Sequence, residues 1–267
     1  MFLSLSITTY NRKKLTQYCI ESIVKTTPRN DYEFIVVDNC STDGTVEMLK
    51  EMKNCGIIDK LILNPENYHI GKSKNQAIDI SSSDAKYILI ANNDFFCMNG
   101  WFENLKKAMS LKIDFINCVY LDGTSKGKVL SGIPKETKNG GKYLQPVLRP
   151  GKLYDITAGP CISRKLVLQH NIRFSEQPFT KGYTGPAPLF YKLLYDLKLN
   201  GVRLNKPAIL LQDPGYNDPE FKNYYQETFE SRDILKLLEF YKKHGHVKNP
   251  YEYYSGTDYL ERKNKWN

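Results

Sequence analysis

The residues of this chain that can do chemistry sit at the ends of short apolar runs. Thr9 and Tyr10 follow Leu3–Thr8, Asp38 closes Phe34–Val37, and Asn92-Asn93-Asp94 follows Tyr87–Ile90. Each suits one part of a nucleotide-diphosphate ligand. Thr9 and Tyr10 offer a hydroxyl and a ring face to a planar base. Asp38 can accept hydrogen bonds from a base N–H or a ribose hydroxyl. Asp94 supplies the carboxylate that hard Mg2+ or Mn2+ takes together with phosphate oxygens. Asn92 can donate or accept toward ribose or a metal-bound water, and Asn93 lies between the two. Gly71 lets backbone approach a ligand, and Lys74 brings positive charge toward a diphosphate. Plainer uses compete: Asp38 as a helix cap or turn residue, Lys74 as a solvated helix residue, Asn92-Asn93-Asp94 as a polar turn.

Strands and helices must bring these positions together. Continuous apolar runs predict strands at Leu3–Thr8, Phe34–Val37, Lys60–Leu63 and Tyr87–Ile90. Helical spacing predicts a helix opening at Asn11-Arg12 and stopped by Thr27-Pro28, then helices at Thr45–Met52 and Lys74–Ile80. The alternation β-α-β-α-β-α-β predicts an α/β fold with a doubly wound, mostly parallel sheet. Such sheets bind ligands at the carboxyl edge of their strands. The pattern weakens after Trp101. Trp101–Met109 reads as helix, Phe115–Tyr120 as strand, and Thr124–Gly151 as a Gly/Lys-rich loop or hairpin. Pro188–Asn200 and the amphipathic Glu227–Lys243 read as helices.

Composition removes several classes. With 267 residues, 41% hydrophobic and 25% charged, the chain can build an ordinary core and is neither fibrous nor wholly disordered. No run approaches the roughly 18 apolar residues of a membrane-spanning helix. The start, MFLSLSITTYNR, is too short and hydroxyl-rich for the apolar core of an export signal. The expectation is a cytoplasmic protein without a transmembrane segment. The six cysteines are widely spaced, which predicts free thiols, and the four histidines do not cluster with them as a zinc site would.

The net charge of +9 is unevenly placed. Residues 1–100 hold 11 basic and 12 acidic side chains, residues 101–219 hold 18 and 9, and residues 220–267 hold 9 and 8. Seven basic residues, Lys126, Lys128, Lys135, Lys138, Lys142, Arg149 and Lys152, are opposed in their stretch only by Glu136. They form either a solvated loop surface or a surface that meets a polyanion.

Three segments in order, SLSITTYNR (4–12), VVDNCSTDGT (36–45) and NPENYHIGKSKN (64–75), followed by IANND (90–94), resemble the family 2 glycosyltransferases of the GT-A fold. The resemblance covers about the first hundred residues. It implies a nucleotide-sugar donor, UDP-linked as is commonest in the family, held by Thr9, Tyr10, Arg12, Asp38, Gly71, Lys74, Asn75, Asn92 and Asn93. It implies a divalent cation on Asp94, although Asn92 stands where the family has its first acid. For Asn75 a tie between loop and helix is the alternative. It further implies a donor half at 1–100, an acceptor half at 101–219 in the same domain, and a helical extension at 220–267.

The resemblance weakens toward the acceptor side. Gly159–Arg164, Phe174-Ser175-Glu176 and Gly182-Tyr183 resemble later family segments. The family's acidic general base, however, is replaced by Thr184-Gly185-Pro186-Ala187-Pro188. Another acid can serve as base, with Asp213, Glu176 and Asp155 as candidates. Alternatively the enzyme is retaining, or the chain binds a nucleotide sugar without turnover. A glycan or other polyanion is the expected acceptor. A modified base in DNA, as for viral-type DNA glycosyltransferases, is the alternative.

Overall fold

The computed structural model describes residues 3–111, 113–122, 144–146, 160–174, 176, 197 and 201–211. The chain opens with β1 (Leu3–Thr9), α1 (Lys13–Thr26), β2 (Tyr32–Asp38), α2 (Thr45–Asn54), β3 (Lys60–Leu63), α3 (His69–Asp79) and β4 (Tyr87–Asn92). This is the alternation expected from the apolar runs. The elements β5 (Phe95–Cys97), α4 (Trp101–Ser110), β6 (Phe115–Asp122), β7 (Leu144–Pro146), β8 (Pro160–Ser163), α5 (Arg164–Gln169) and β9 (Gly201–Leu211) follow.

The nine strands among the described residues belong to one sheet, ordered β3-β2-β1-β4-β8-β6-β9-β5, with β7 paired to β9. The strands β3, β2, β1 and β4 run parallel. Antiparallel β8 then joins β4 to β6. The short strands β5, β7 and β8 have no clear signal in the sequence, since three or four residues carry no measurable period. The expected helix at 188–200, apart from Leu197, the helix at 227–243 and the bulk of the 124–151 loop lie outside the described residues.

Pleating sorts the side chains between two layers. Leu3, Leu5 and Ile7 of β1, Phe34 and Val36 of β2, and Leu89 and Ala91 of β4 meet Cys19, Ile20 and Ile23 of α1, Leu49 of α2 and Trp101 and Leu105 of α4. On the other face, Ile35 and Val37 meet Ala77 of α3. Ile88 and Ile90 join Ile78, Phe115, Ile162 and Val167. The alternate residues of β1 are Ser4, Ser6 and Thr8, all buried. Their small size lets α3 lie close over the middle of the sheet.

The largest fully buried side chain is Trp101. Its Nε1–H donates to the hydroxyls of Thr26 (3.0 Å) and Thr27 (3.2 Å), so the indole is buried without an orphaned donor. At the opposite edge from the strand carboxyl ends, Glu33 is closed in. It pairs with Lys60 Nζ at 2.9 Å and accepts from the Ser82 N–H and hydroxyl. Burial pushes its pKa up, but these bonds more than reverse that and hold it below the usual carboxylate range.

Candidate functional site

Parallel register brings the strand ends level. Thr9 is opposite Asp38, Thr8 is opposite Asn92, and Asp38 is opposite Leu63. Polar residues far apart in sequence therefore stand side by side at one edge. The chain then turns at Asn93-Asp94 and leaves as β5 toward β9. Asp94 sits on that corner, nearly buried.

The loops above this edge are stitched to one another. Asn11 N–H donates to Ser41 Oγ (2.7 Å), and Thr42 N–H donates to Asn11 Oδ1 (2.8 Å). Asp43 caps two helices at once. Its Oδ2 accepts from the Lys13 N–H that opens α1 (2.9 Å), and its Oδ1 accepts from Thr45 N–H and hydroxyl at the start of α2. Burial raises the Asp43 pKa, yet those bonds outweigh it and the carboxyl is held low. Four non-glycine residues on these loops, Asn11, Arg12, Cys40 and His69, take left-handed backbone conformations. Strain of this kind persists only where surrounding contacts over-determine it, and it gathers at ligand sites.

Asp38 is fully buried at the end of β2. Ser41 caps it with N–H to Oδ1 (2.9 Å) and hydroxyl to Oδ2 (2.5 Å). Burial pushes the Asp38 pKa up, only partly offset by Ser41. Of the plainer roles that compete for Asp38, helix capping is filled by Asp43, while the turn role is met by the two bonds from Ser41 to Asp38. Lys74 is buried as well. Burial brings its ammonium down to about 8, against the opposing pull of Asp94. Its Nζ lies 5.2 Å from the centre of the Phe174 ring. Gly71 is buried in α3, Tyr10 is half-buried, and Arg12 is buried at the N-cap of α1.

Asn92 and Asp94 present hard oxygen donors. The Asn92 Oδ1 is buried and has no hydrogen-bond partner among the described residues. An unpaired buried acceptor two residues before a carboxylate in the chain offers oxygen chemistry that suits Mg2+ or Mn2+. No cluster of three or more His, Cys, Asp or Glu exists among the described residues, so protein side chains alone do not cage an ion there.

Three side chains expected at the nucleotide sugar make their hydrogen bonds within the chain. The Thr9 hydroxyl donates to the Asn11 carbonyl (3.3 Å) and bonds the Thr16 hydroxyl (2.9 Å). Asn93 Nδ2 donates to both threonines, at 3.3 and 3.0 Å. Thr9 and Asn93 thus brace the Asp94 corner against α1. The Asn75 amide reaches Phe174 and Glu176. Glu176 is the described member of the base candidates. Asp155, Asp213 and the seven basic residues from Lys126 to Lys152 lie outside the described residues.

Sequence reasoning passed over Thr16, Asn39, Asn64, Ser73 and Gln76. Asn39 Oδ1 accepts from Asn64 Nδ2 (2.9 Å) and Ser73 Oγ (2.5 Å), and Gln76 exchanges two bonds with Asn64. This network fastens α3 to the end of β2. Its one visible signal was the pair of asparagines at the ends of β2 and β3.

The doubly wound sheet, its polar carboxyl edge and the corner at Asp94 define a GT-A fold. The sequence profile described as glycosyl transferase family 2 matches residues 4–170, more than half of the chain, and the chain belongs to that family. A poly(ribitol-phosphate) beta-glucosyltransferase of Bacillus spizizenii is 33% identical over 99 residues, covering 35% of this chain and 15% of that protein. The crystal structure of S. aureus TarS 1–349 in complex with UDP-GlcNAc superposes with a TM-score of 0.64 at 20% identity, covering 86% of this chain and 64% of the other. GalNAc-T7 with UDP, GalNAc and Mn2+ superposes with a TM-score of 0.59 at 12% identity, covering 94% and 55%. The match thus spans a small part of the curated relative and under two thirds of the solved chains. No helix among the described residues is long and apolar enough to cross a membrane.

Proposed function

We propose that this chain is a glycosyltransferase that moves a sugar from a UDP-linked donor to a hydroxyl of a phosphate-bearing polymer. The observation that carries this is the carboxyl edge of the sheet, where buried Asp38 and half-buried Asn92 end their strands and buried Asp94 follows, with buried Lys74 of α3 within electrostatic reach of Asp94. Asp38 receives the base or ribose, and Lys74 faces the diphosphate. Asp94, helped by the unpartnered Asn92 oxygen, would hold Mn2+ or Mg2+. When bound, that ion neutralises charge on the leaving diphosphate. The Mn2+ in the GalNAc-T7 structure supports this assignment.

In the reaction an acceptor oxygen attacks the anomeric carbon. The bond to the phosphate oxygen breaks, and the diphosphate leaves with the electron pair. The acceptor proton passes to a carboxylate, and we assign Glu176 that role, with Asp213 and Asp155 as the competing acids. The poly(ribitol-phosphate) relative and the basic excess at 101–219 favour a polyol-phosphate acceptor over DNA.

The decisive assay is release of UDP from a panel of nucleotide sugars. Turnover with Mn2+ that vanishes in chelator and in Asp94→Ala is the expected result. Failure to bind any nucleotide would overturn the site from Thr9 to Asp94.

A further inference from the structure

Asn75 lies in α3, one residue after Lys74, but its amide is spent on the other half of the chain. Nδ2 donates to the Phe174 carbonyl (3.0 Å) and to Glu176 Oε1 (2.6 Å). Its Oδ1 accepts from the Phe174 N–H (2.9 Å). A primary amide has two donor hydrogens. Both are used within the chain, which leaves none for a nucleotide.

The geometry of these bonds matters. Pairing with both the N–H and the C=O of Phe174 copies the exchange made by a strand neighbour, so it fixes that residue in position and rotation. The third bond fixes the carboxylate two residues on. The anchor is itself seated in the core, because Phe174 is buried among Ile78, Val167 and Ile172. Lys74 adds a contact to the Phe174 ring and lies within electrostatic reach of Asp94. One helical turn therefore holds the diphosphate end of the crevice and Glu176 together, across about a hundred residues of sequence.

We propose that Asn75 is a positioning residue that acts through Glu176, holding its carboxylate at a set place beside α3, and that it makes no contact with the donor. This rests on the assignment of Glu176 as the acceptor's base. An alanine at 75 leaves Glu176 free to rotate and breaks both bonds to the Phe174 backbone. The resulting loss belongs in the chemical step and not in donor binding.

The test compares the wild type with Asn75→Ala, Glu176→Gln and the double variant. The readouts are kcat, donor KM, UDP affinity by calorimetry and hydrogen exchange at the Phe174 amide. Asn75→Ala is expected to lose about 10²-fold in kcat, the scale of a small misplacement of a reacting group. Donor KM and UDP affinity stay within about twofold, because uniform binding is untouched. The Phe174 amide exchanges faster, and the double variant is no slower than Glu176→Gln alone. If Asn75→Ala fails to fold, Asn75→Asp replaces it, since it keeps the acceptor for the Phe174 N–H and removes the donors to Glu176. Wild-type kcat in the Asn75 variants, or a loss confined to KM and UDP affinity, overturns the proposal. Wild-type kcat in Glu176→Gln overturns the base assignment and with it Asn75 acting through that carboxylate. Absence of turnover by the wild type with every donor overturns the functional reading alone. UDP affinity and Phe174 exchange then still decide whether Asn75 grips the segment or a nucleotide.

Discussion

Lys74 and Asp94 show how single residues set the character of the crevice. A buried ammonium is costly unless an opposite charge or a ligand answers it. Asp94 answers it in part, and a diphosphate would answer it further. Lys74→Met is therefore expected to weaken UDP binding about tenfold, the worth of one charge-assisted hydrogen bond. Calorimetry at fixed Mn2+ checks this. Asp94→Ala is expected to lower kcat by at least about 10²-fold, the scale of removing one preorganised electrostatic contact. A variant with unchanged turnover in excess Mn2+ would remove Asp94 from the metal site. Both could be picked out in the sequence because their types match the chemistry, Asp94 just after an apolar run and Lys74 at the head of an expected helix.

Helices and strands depend on polar ties that join distant pieces. Asp43 caps α1 and α2 together, so Asp43→Ala should cost about 2 kcal/mol of stability, the upper range for loss of a cap. Urea denaturation would measure it, and an effect indistinguishable from zero would mean that solvent replaces all three bonds. Glu33 makes a prediction about pH. Its folded pKa is lowered, so its contribution is present above the ordinary carboxylate range and is lost as pH falls through that range toward the folded value. Glu33→Gln should therefore flatten the acid-side fall in melting temperature. An unchanged acid slope would place the sensitivity elsewhere. The capping competition around Asp38 was visible in the sequence. That Asp43 serves both helices was not, because the Lys13 N–H it accepts from is 30 positions away.

At the scale of the whole molecule, charge separates the two halves. Residues 1–100 are nearly neutral, and the excess of +9 lies in residues 101–219. Contacts to a polyanion are screened within about 10 Å at 0.1 M salt. Acceptor KM for a polyol phosphate should therefore rise steeply between low and moderate salt, while donor KM changes little. Reversing Lys138 and Lys142 to Glu should raise acceptor KM further and reduce that salt dependence. Equal salt effects on both substrates would argue against a basic acceptor surface. A DNA acceptor would show as the same salt response with duplex substrate and none with polyol phosphate.

The amino-acid order by itself determined the alternation of the first four strands with three helices. It also determined which polar residues close those strands, because both are local: an apolar run and the residue that ends it are neighbours in the chain. The order did not determine what those polar side chains touch. Thr9 and Asn93 turn to Thr16 and brace the Asp94 corner, and Asn75 turns to Phe174 and Glu176. The short strand β5 finds β9 more than a hundred residues later. Only the packed sheet brings these partners within hydrogen-bonding distance, and no local period in the sequence records a contact made across it.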